Sequence, residues 1–304
     1  MTDRQLRYLV ALADEGNMTA AAQRLFISQP SLSYLLAHVE KELGVVLFNR
    51  DTNPLSLTDA GERYIEAARK ILGLQRGMMN ALEDIKKGSH GRLQIGCGAQ
   101  VSAFLLPKIL PGFIREYPGV ALKLVEESHA LLCDKLDTGE LDLIIVNRPA
   151  TGLQTESVLL SQEELVLMAP SAFMGEGREE EGKRFPVIAA ESLAELPFVL
   201  PKKSSNMRMM IDGLFSELKM TPHIIFETSS ISTCVSMVES AIGFTMYPHS
   251  SLTAGSRKVK RYSLPGEHRR SLSIYFRKNS YMPHFASGFI QMCSDLFKYG
   301  VASG

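Results

Sequence analysis

The first side chains with binding chemistry lie at the start of a helix predicted to begin at Gln29. Ser28 can cap this helix, and Pro30 in its first turn lacks only an N–H that would have no partner there. An apolar stripe buries one side of the helix and consists of Leu32, Leu35, Leu36, Val39 and Leu43. The side chains of Gln29, Ser33 and Tyr34 then face outward, where their polar groups are available for hydrogen bonds with a partner.

A second set of polar and charged residues lies in the last two-thirds of the chain, at predicted strand ends and helix starts. These side chains suit a small ligand, and Arg148 and Lys202 are the best partners for an anion. Each could instead be a helix cap or a solvated side chain. The candidates are Gly98, Ala99, Gln100, Ser128, His129, Asn147, Arg148, Lys202, Ser204, Ser205, Thr228, Ser229, Thr245 and Tyr247.

The four cysteines do not predict a metal centre or a disulfide framework. They are Cys97, Cys133, Cys234 and Cys293, spread tens of residues apart without a C-x-x-C pair. Paired spacing is what a zinc cluster or a small disulfide-rich scaffold requires. We therefore expect buried thiols, and the sequence indicates no metal and no cofactor.

The helix at Gln29 follows a short helix predicted over residues 19–25. Alanines at positions 20, 21 and 22 of that helix carry only a methyl group and let another helix approach closely. Two helices joined by a tight turn form a helix-turn-helix, whose second helix fits the major groove of duplex DNA. An ordinary helical hairpin is the alternative interpretation of the same geometry.

Residues 45–57 predict two short strands joined by a turn at Asn53-Pro54, as in a wing beside a helix-turn-helix. Arg50 lies next to this turn, where it could pair with a phosphate or remain solvated. Residues 1–60 contain five basic and seven acidic side chains. Because DNA-binding segments are usually basic, the charge pattern by itself does not favour DNA.

A long helix predicted from Asp59 to about residue 87 carries apolar side chains at heptad spacing. Asp59 and Glu62 resemble a capping box at its start. A single amphipathic helix between two domains would leave this stripe in water, so pairing with the same helix of a second chain is favoured over packing within the chain. The predicted dimerisation residues are Ile65, Ala68, Leu72, Gln75, Met79 and Leu82. Residues 88–91 predict a hinge.

Strands alternate with helices from residue 92 onward, which predicts a mostly parallel α/β sheet. The first set of predicted strands is 92–95, 120–125 and 142–146, the second set is 165–169, 198–201, 224–227 and 244–247, and a last strand at 271–277 returns to the first lobe. Ligands of such open sheets bind beyond the carboxyl ends of the strands. The candidate ligand residues are therefore expected to converge on one cleft.

Length and composition limit the class of protein. A chain of 304 residues predicts two or three cores. The apolar runs fall short of the about 18 residues that a spanning helix needs, and no basic and apolar leader opens the sequence. We therefore expect a cytoplasmic protein without a membrane partner. The 33 basic and 33 acidic residues balance, so net charge does not predict nucleic-acid binding.

Residues 6–61 resemble the winged helix-turn-helix of LysR-type transcriptional regulators. The signature consists of Leu6-Arg7-Tyr8, Thr19-Ala20-Ala21-Ala22, Leu25, Ser28-Gln29-Pro30-Ser31-Leu32-Ser33, Glu42-Leu43-Gly44, Leu47-Phe48, Arg50, Leu57-Thr58 and Ala60-Gly61. Residues 93–120 and 139–146 are similar to the effector domain of that family. The resemblance covers nearly the whole chain.

The resemblance implies an N-terminal winged helix-turn-helix, a long linker helix and two Rossmann-like lobes of periplasmic-binding-protein type. It implies double-stranded DNA, a small-molecule effector, RNA polymerase and further copies of the chain, as a dimer or tetramer, as partners. The implied DNA-binding residues are Thr19, Ser28, Gln29, Pro30, Ser31, Ser33, Tyr34, Arg50 and Asn53. Many members have arginine at the position of Tyr34 and a basic residue at that of Asn53, and members that bind carboxylates commonly have hydroxyl residues where this chain has Gly98, Ala99 and Gln100.

These considerations predict three parts. Residues 1–60 form the DNA-binding domain, residues 61–91 the linker helix and hinge, and residues 92–304 the effector domain, with lobe I at 92–163 and 267–304 and lobe II at 164–266. The predicted function is an effector-controlled, DNA-binding transcriptional regulator. A cytoplasmic small-molecule-binding protein with a vestigial DNA-binding role is the alternative. An enzyme is less favoured, because no nucleophile elbow, P-loop or HExxH segment is present.

Overall fold

The first helices begin and end at residues that satisfy the helix ends. The computed structural model describes residues 2–50, 52, 54–85, 90–150, 154–203, 205–249 and 258–300. In it, α1 spans Asp3–Glu15, α2 Met18–Arg24 and α3 Gln29–Leu43. The side chain of Asn17 accepts hydrogen bonds from the backbone N–H groups of Thr19 and Ala20 at 2.9 and 3.0 Å. Gly16 and Gly44 end α1 and α3 with φ of 57° and 72°, which glycine adopts without steric cost.

These helices pack around one apolar core. Ala21 and Ala22 are buried where α2 meets its neighbours, which explains the run of alanines, since larger side chains would push the helix axes apart. The strands β1 (Phe48–Asn49) and β2 (Ser56–Leu57) pair antiparallel beside the helices. The core contains Leu9, Leu12, Leu32, Leu36, Phe48 and Ile65. The predicted winged helix-turn-helix is confirmed.

The linker helix α4 spans Asp59–Ile85. Part of the predicted dimerisation stripe on this helix is buried within the subunit. Ile65 and Ala68 are buried inside their own subunit, and Ile65 packs in the core of the N-terminal helices. These two residues are core residues and not dimer contacts. Leu72 and Gln75 are half-buried. The exposed apolar residues of α4 are Ile71, Leu74, Met78, Met79 and Leu82, and pairing through them stays a prediction.

Lobe I begins at β3, whose first residue, His90, belongs to the predicted hinge. Residues 88 and 89 of that hinge lie outside the described residues. The elements are β3 (His90–Cys97), α5 (Ala99–Glu116), β4 (Gly119–Glu126), α6 (His129–Asp137) and β5 (Leu143–Val146). β3 pairs in parallel with both β4 and β5. The alternating pattern therefore predicts this part of the sheet correctly.

Two long strands add only antiparallel pairs to this sheet, so the expectation of a mostly parallel sheet is wrong for this sheet. The strands are β6 (Thr155–Pro170) and β13 (Arg269–Arg277). β13 pairs antiparallel with β5 and with the first part of β6, so the end of the chain returns to lobe I as predicted. The rest of β6 continues into lobe II. β6 and β13 thus connect the two lobes.

Lobe II is built on the second part of β6, which pairs antiparallel with β11 and β12. Its elements are β7 (Gly177–Arg178), β8 (Val187–Ile188), a 3-10 helix (Ala190–Leu193), β9 (Pro197–Pro201), α7 (Asn206–Glu217), β10 (His223–Thr228), α8 (Ile231–Glu239), β11 (Thr245–Pro248) and β12 (Val259–Tyr262). β9 and β10 pair in parallel. The helix α9 (His284–Asp295) and a π-helical turn (Leu296–Gly300) close lobe I.

Separate apolar cores hold the two lobes. Phe113 and Phe289 meet edge to face in lobe I, with ring centroids 5.6 Å apart. Phe198 and Phe215 do the same in lobe II at 5.1 Å. No described helix is long and apolar enough to cross a bilayer. The predicted architecture of a winged helix-turn-helix, a linker helix and two α/β lobes is confirmed, and the exact domain boundaries stay predictions.

Candidate DNA-binding surface and effector cleft

The outward side of α3 is exposed and carries an aromatic pair. Tyr34 is 77% exposed, and its ring is stacked with that of His38 at a centroid distance of 6.4 Å. Sequence reasoning misses His38, although its spacing of four residues from Tyr34 places it on the same helix face. Gln29 and Pro30 are exposed at the start of α3, and Ser33 is half-buried. This surface can offer hydrogen bonds and ring faces to a groove.

Two of the predicted DNA contacts hold the start of α3 in place. The hydroxyl oxygens of Ser28 and Ser31 lie 2.7 Å apart, and Ser28 Oγ accepts the N–H of Ser31 at 3.3 Å. Thr19 is exposed in the first turn of α2. Asn53 lies outside the described residues. Hydroxyls and N–H groups at exposed helix starts can meet phosphates, and these contacts stay predictions.

Glu40 fixes both the wing and Arg50. Its Oε1 accepts the backbone N–H groups of Leu47 at 2.8 Å and Phe48 at 3.3 Å, which ties the start of the wing to α3. Its Oε2 accepts from Arg50 Nη2 at 2.8 Å. Arg50 remains 53% exposed. It can reach a phosphate only by sharing or leaving its carboxylate partner, and its DNA contact stays a prediction.

The lobes meet at a contact between two predicted cleft residues. Gln100 in the first turn of α5, just after Gly98 and Ala99, lies beside Tyr247 in β11, close enough to act on the pKa of the Tyr247 phenol. Burial raises the pKa of the Tyr247 phenol, so the phenol stays a neutral hydrogen-bonding group. Among the described residues, the buried Nε2 of Gln100 has no hydrogen-bond partner. This nitrogen is a donor that a ligand could use.

A buried ion pair that sequence reasoning misses lies on the strands connecting the lobes. Arg270 Nε and Nη2 donate to Glu163 Oε2 at 3.0 and 2.9 Å, and the two residues are register partners on β13 and β6. Both act electrostatically on Tyr247, so they lie beside the inter-lobe contact. Breaking such a pair would leave a buried charge. Local sequence carries no signal for it, because each residue looks like an outward-facing strand position.

His129 lies at the start of α6, after Ser128. Its Nε2 is 3.2 Å from the carbonyl oxygen of Pro149 and 3.6 Å from Cys133 Sγ. Burial, followed by the charge of Arg148, lowers the pKa of His129 and keeps the ring neutral at pH 7. Within the described part of the chain, its buried Nδ1 lacks a hydrogen-bond partner. His129 therefore offers a second unsatisfied polar atom.

A further contact between lobes joins Asn147 Nδ2 to Met210 Sδ at 4.0 Å. Thr245 is fully buried at the start of β11. Lys202 and Ser229 are exposed, and direct ligand contact by either stays a prediction. Asn147 of lobe I thus meets lobe II directly.

Two lobe II candidates act as caps. Ser205 Oγ accepts the N–H of Met207 at 3.2 Å, and Thr228 Oγ1 accepts the N–H of Ser230 at 3.1 Å. Ser204 lies outside the described residues. The capping alternative therefore accounts for Ser205 and Thr228, because their hydroxyls already stabilise helix or turn starts.

Two charged groups near these strand ends, Arg208 and Glu126, already have partners within the protein. Arg208 is buried, donates to Asp212 and to the carbonyl of Pro201 at 2.7 and 2.9 Å, and also pairs with Glu227. In lobe I, Ser102 donates to Glu126. Neither charge is therefore an unoccupied anchor for a ligand of opposite charge.

The helix α6 connects the cleft with the linker helix. It begins at His129, and the loop after it packs on α4, where a Cβ on Gly73 would lie 2.9 Å from Gly139 Cα. Arg76 of α4 donates to the carbonyls of Gly139 and Glu140 at 2.8 and 3.3 Å. A shift of α6 on ligand binding would therefore act directly on α4.

Ion pairs join all three parts of the subunit. Arg69 of α4 lies 2.6 Å from Asp14 of α1 and 2.8 Å from Glu140 of lobe I. Asp14 also pairs with Arg24 at 3.4 Å, and Glu140 pairs with Lys135 at 3.1 Å. The DNA-binding domain, the linker helix and lobe I are thus joined by one continuous network of ion pairs.

Comparison with known proteins agrees with this architecture. Residues 4–62 match the model of the bacterial regulatory helix-turn-helix protein, lysR family, and residues 86–298 match the LysR substrate binding domain. The chain is 30% identical to the HTH-type transcriptional regulator YcgK of Bacillus subtilis, over 98% of this chain and 95% of that protein.

Solved structures share the fold over the full length. Full-length OxyR of Pseudomonas aeruginosa, a variant, superposes with a TM-score of 0.71 at 26% identity, covering 98% of this chain and 95% of that chain. Full-length CbnR complexed with its target DNA gives a TM-score of 0.64 at 24% identity over 96% and 99%. Both family models, one at each end of the chain, place it as a transcriptional regulator with a DNA-binding and an effector-binding domain. The chain belongs to the LysR family of transcriptional regulators.

Proposed function

We propose that the outer face of α3 binds duplex DNA and that a small molecule bound between the lobes changes how the subunits sit on that DNA. The observation that carries the proposal is the position of α6, which starts at His129 in the cleft and leads to the Gly139 contact with the linker helix. A ligand that favours one lobe arrangement would shift the linker helices and the spacing of the DNA-binding domains. We propose no cofactor.

The coupling required is modest. An effector that prefers one arrangement by about 1–3 kcal/mol changes DNA affinity roughly 5- to 150-fold. The unsatisfied atoms Gln100 Nε2 and His129 Nδ1 support a ligand with complementary hydrogen-bonding groups. Arg148 and Lys202, both exposed, could add attraction for an anionic group at the opening.

We propose that the exposed apolar side of α4 pairs with a second copy of the chain. Leu74 and Met78 lie one turn apart and are both exposed, which fits a helix–helix contact. A dimer or tetramer presents several recognition helices, and joining them compensates for the few basic residues of each DNA-binding domain. RNA polymerase is the further partner that regulation of transcription requires, and the DNA target implies action in the cytoplasm.

The second candidate is a cytoplasmic small-molecule-binding protein whose DNA-binding role is vestigial. The ion pair between Arg50 and Glu40 favours it, because it removes one of the few basic groups from the DNA-facing side. Titration of the full-length protein with its own upstream DNA at several salt concentrations distinguishes the two. We expect sequence-selective binding that weakens steeply as salt rises.

Equal binding to unrelated DNA, or none at low salt, would favour the second candidate. A thermal-shift screen of the full chain against small metabolites tests the effector half separately, since a ligand of the folded form raises the unfolding temperature. Adding each hit to the DNA titration then tests coupling. A hit that leaves DNA affinity and footprint unchanged contradicts the proposed regulation.

A further inference from the structure

The exposed aromatic pair on α3 consists of Tyr34 and His38. The side chain of Tyr34 is 77% exposed, and His38, four residues further along, is exposed on the same helix face. Their ring centroids lie 6.4 Å apart and their planes differ by only 8°. This spacing falls within the roughly 4.5–7 Å range of offset-stacked rings. The two side chains therefore form one exposed aromatic surface.

The stack restricts the side chain of Tyr34. Long side chains of an α-helix lean toward its N-terminus, so the ring of His38 covers the turn that carries Tyr34. The opposite side of α3 is fixed, because Leu32, Leu36 and Val39 are buried in the N-terminal core. A side chain that is already restricted loses less conformational entropy when a partner binds. His38 thus prepares Tyr34 for contact.

The rest of the exposed face limits which base the rings can read. Residues 29–40 contain neither arginine nor lysine, the side chains that most often read guanine in the major groove. Ala37 is also exposed and adds a methyl group to the surface. The major groove contains one apolar base group, the C5-methyl of thymine, and apolar side-chain groups contact it. This part of α3 therefore suits thymine better than guanine.

Tyr34 also lies within reach of base edges. It follows Gln29, the first residue of α3, by about 7.5 Å along the helix axis at a rise of about 1.5 Å per residue. The major groove is about 12 Å wide, and the N-terminal part of a recognition helix is the part that contacts base edges. Gln29 and Tyr34 can therefore lie in the groove together.

We propose that His38 is a positioning residue that holds the ring of Tyr34 against the C5-methyl group of a thymine in the target DNA. The inference rests on the proposed binding of DNA by α3 and adds the base and the atom that are read. Burial of one methyl-sized group changes affinity by about fourfold. A hydrogen bond from the Tyr34 hydroxyl to a phosphate is the other contact open to this side chain, and it would not depend on the methyl group.

The test replaces single thymines with deoxyuridine, which lacks only the C5-methyl group. Full-length protein is first footprinted on its own upstream DNA, and fluorescence anisotropy then measures its affinity for duplexes of the protected segment. We expect at least one replacement to weaken wild-type binding about fourfold. The same replacement should leave the affinity of Tyr34→Ala unchanged, because that variant has no ring against the methyl group.

Variants of His38 separate positioning from direct contact. His38→Ala should lose most of the methyl effect, and His38→Phe, which keeps a ring but neither nitrogen, should restore it. His223→Ala, the matched control, removes an exposed histidine of lobe II and should show the wild-type methyl effect. A full methyl effect in His38→Ala, or none in His38→Phe, overturns the positioning role.

Failure of this inference differs from failure of the proposed function. Sequence-selective binding in which no replacement weakens the wild type, or in which every replacement weakens Tyr34→Ala equally, overturns the thymine contact alone. Absence of sequence-selective binding overturns both.

Discussion

At the scale of single residues, Tyr34 tests whether the aromatic pair on α3 contacts DNA. Tyr34→Ala removes a 77% exposed ring that packs on little besides His38, so folding should be unaffected. We expect DNA affinity to fall by about 1–2 kcal/mol, the scale of one base contact, in a fluorescence-anisotropy titration. Tyr281→Ala, which removes a 47% exposed tyrosine of the effector domain, is the control. Equal affinity of both variants would exclude Tyr34 from the DNA contact.

The cysteines give a second prediction at this scale. All four are buried, and burial raises the pKa of Cys97 to about 12 and of Cys234 to about 11. Because only the thiolate reacts and its fraction grows tenfold per pH unit below the pKa, native protein at pH 8 should alkylate far more slowly than unfolded protein. Mass spectrometry after iodoacetamide treatment, with and without urea, measures this. Rapid native labelling of Cys97 would contradict it.

Residue chemistry was predictable where a local rule applied. The rule that ligands bind beyond strand ends selects Gln100 and Tyr247, which do meet across the lobes. The ion pair of Arg270 with Glu163 escapes any such rule, because its partners are 107 positions apart and meet only through the register of β13 with β6. Pairing of distant strands depends on the whole fold and not on neighbouring residues.

At the scale of elements, the exposed side of α4 predicts association. Leu74 is 76% exposed in the subunit, and a carboxylate there would be buried without a partner in a helix pair. Leu74→Glu should therefore shift the protein toward the monomer in sedimentation velocity. Met174→Glu, at an 86% exposed position of lobe II, should keep the wild-type mass. If Leu74→Glu also keeps it, pairing through this side of α4 is wrong.

Two glycines of α4 test its contact with lobe I. A Cβ on Gly73 would lie 2.9 Å from Gly139 Cα, whereas nothing lies within 4 Å of a Cβ on Gly77. Gly77→Ala should stabilise the protein by about 0.5–1 kcal/mol through helix propensity. Gly73→Ala should not show this stabilisation, because its Cβ would press on Gly139. It should also speed amide exchange at residues 138–140. Unfolding curves and hydrogen-exchange mass spectrometry compare the two, and similar behaviour would show that the contact is not close.

The ends of the helices could be predicted where the signal lies in neighbouring residues, as it does for helix caps. The caps at Ser28 and Gly44 set both ends of α3, as the sequence indicates. The heptad pattern of α4 does not reveal that Ile65 and Ala68 turn into their own subunit, because periodicity marks an apolar side without naming what covers it. The first half of β6, with several polar residues, also lacks the apolar signal of a strand.

At the scale of the whole molecule, Arg69 connects the three parts of the subunit through Asp14 and Glu140. These groups are partly exposed, so the pairs are individually modest and sensitive to salt. Arg69→Gln should increase the radius of gyration of the full-length protein in small-angle X-ray scattering. Arg7→Gln, which alters an exposed pair with Asp3 inside α1, should not. Identical radii for both variants would show that the chain of ion pairs does not hold the parts together.

The two strands that join the lobes have a consequence for protein engineering. β6 supplies sixteen consecutive residues to a single strand that serves both lobes, and β13 runs back alongside it. A chimera that takes one lobe from a relative would cut this ladder and leave both halves with unpaired edges. Exchanging ligand specificity between family members should therefore succeed when the crossover falls between α4 and β3, and fail when it falls within the lobes.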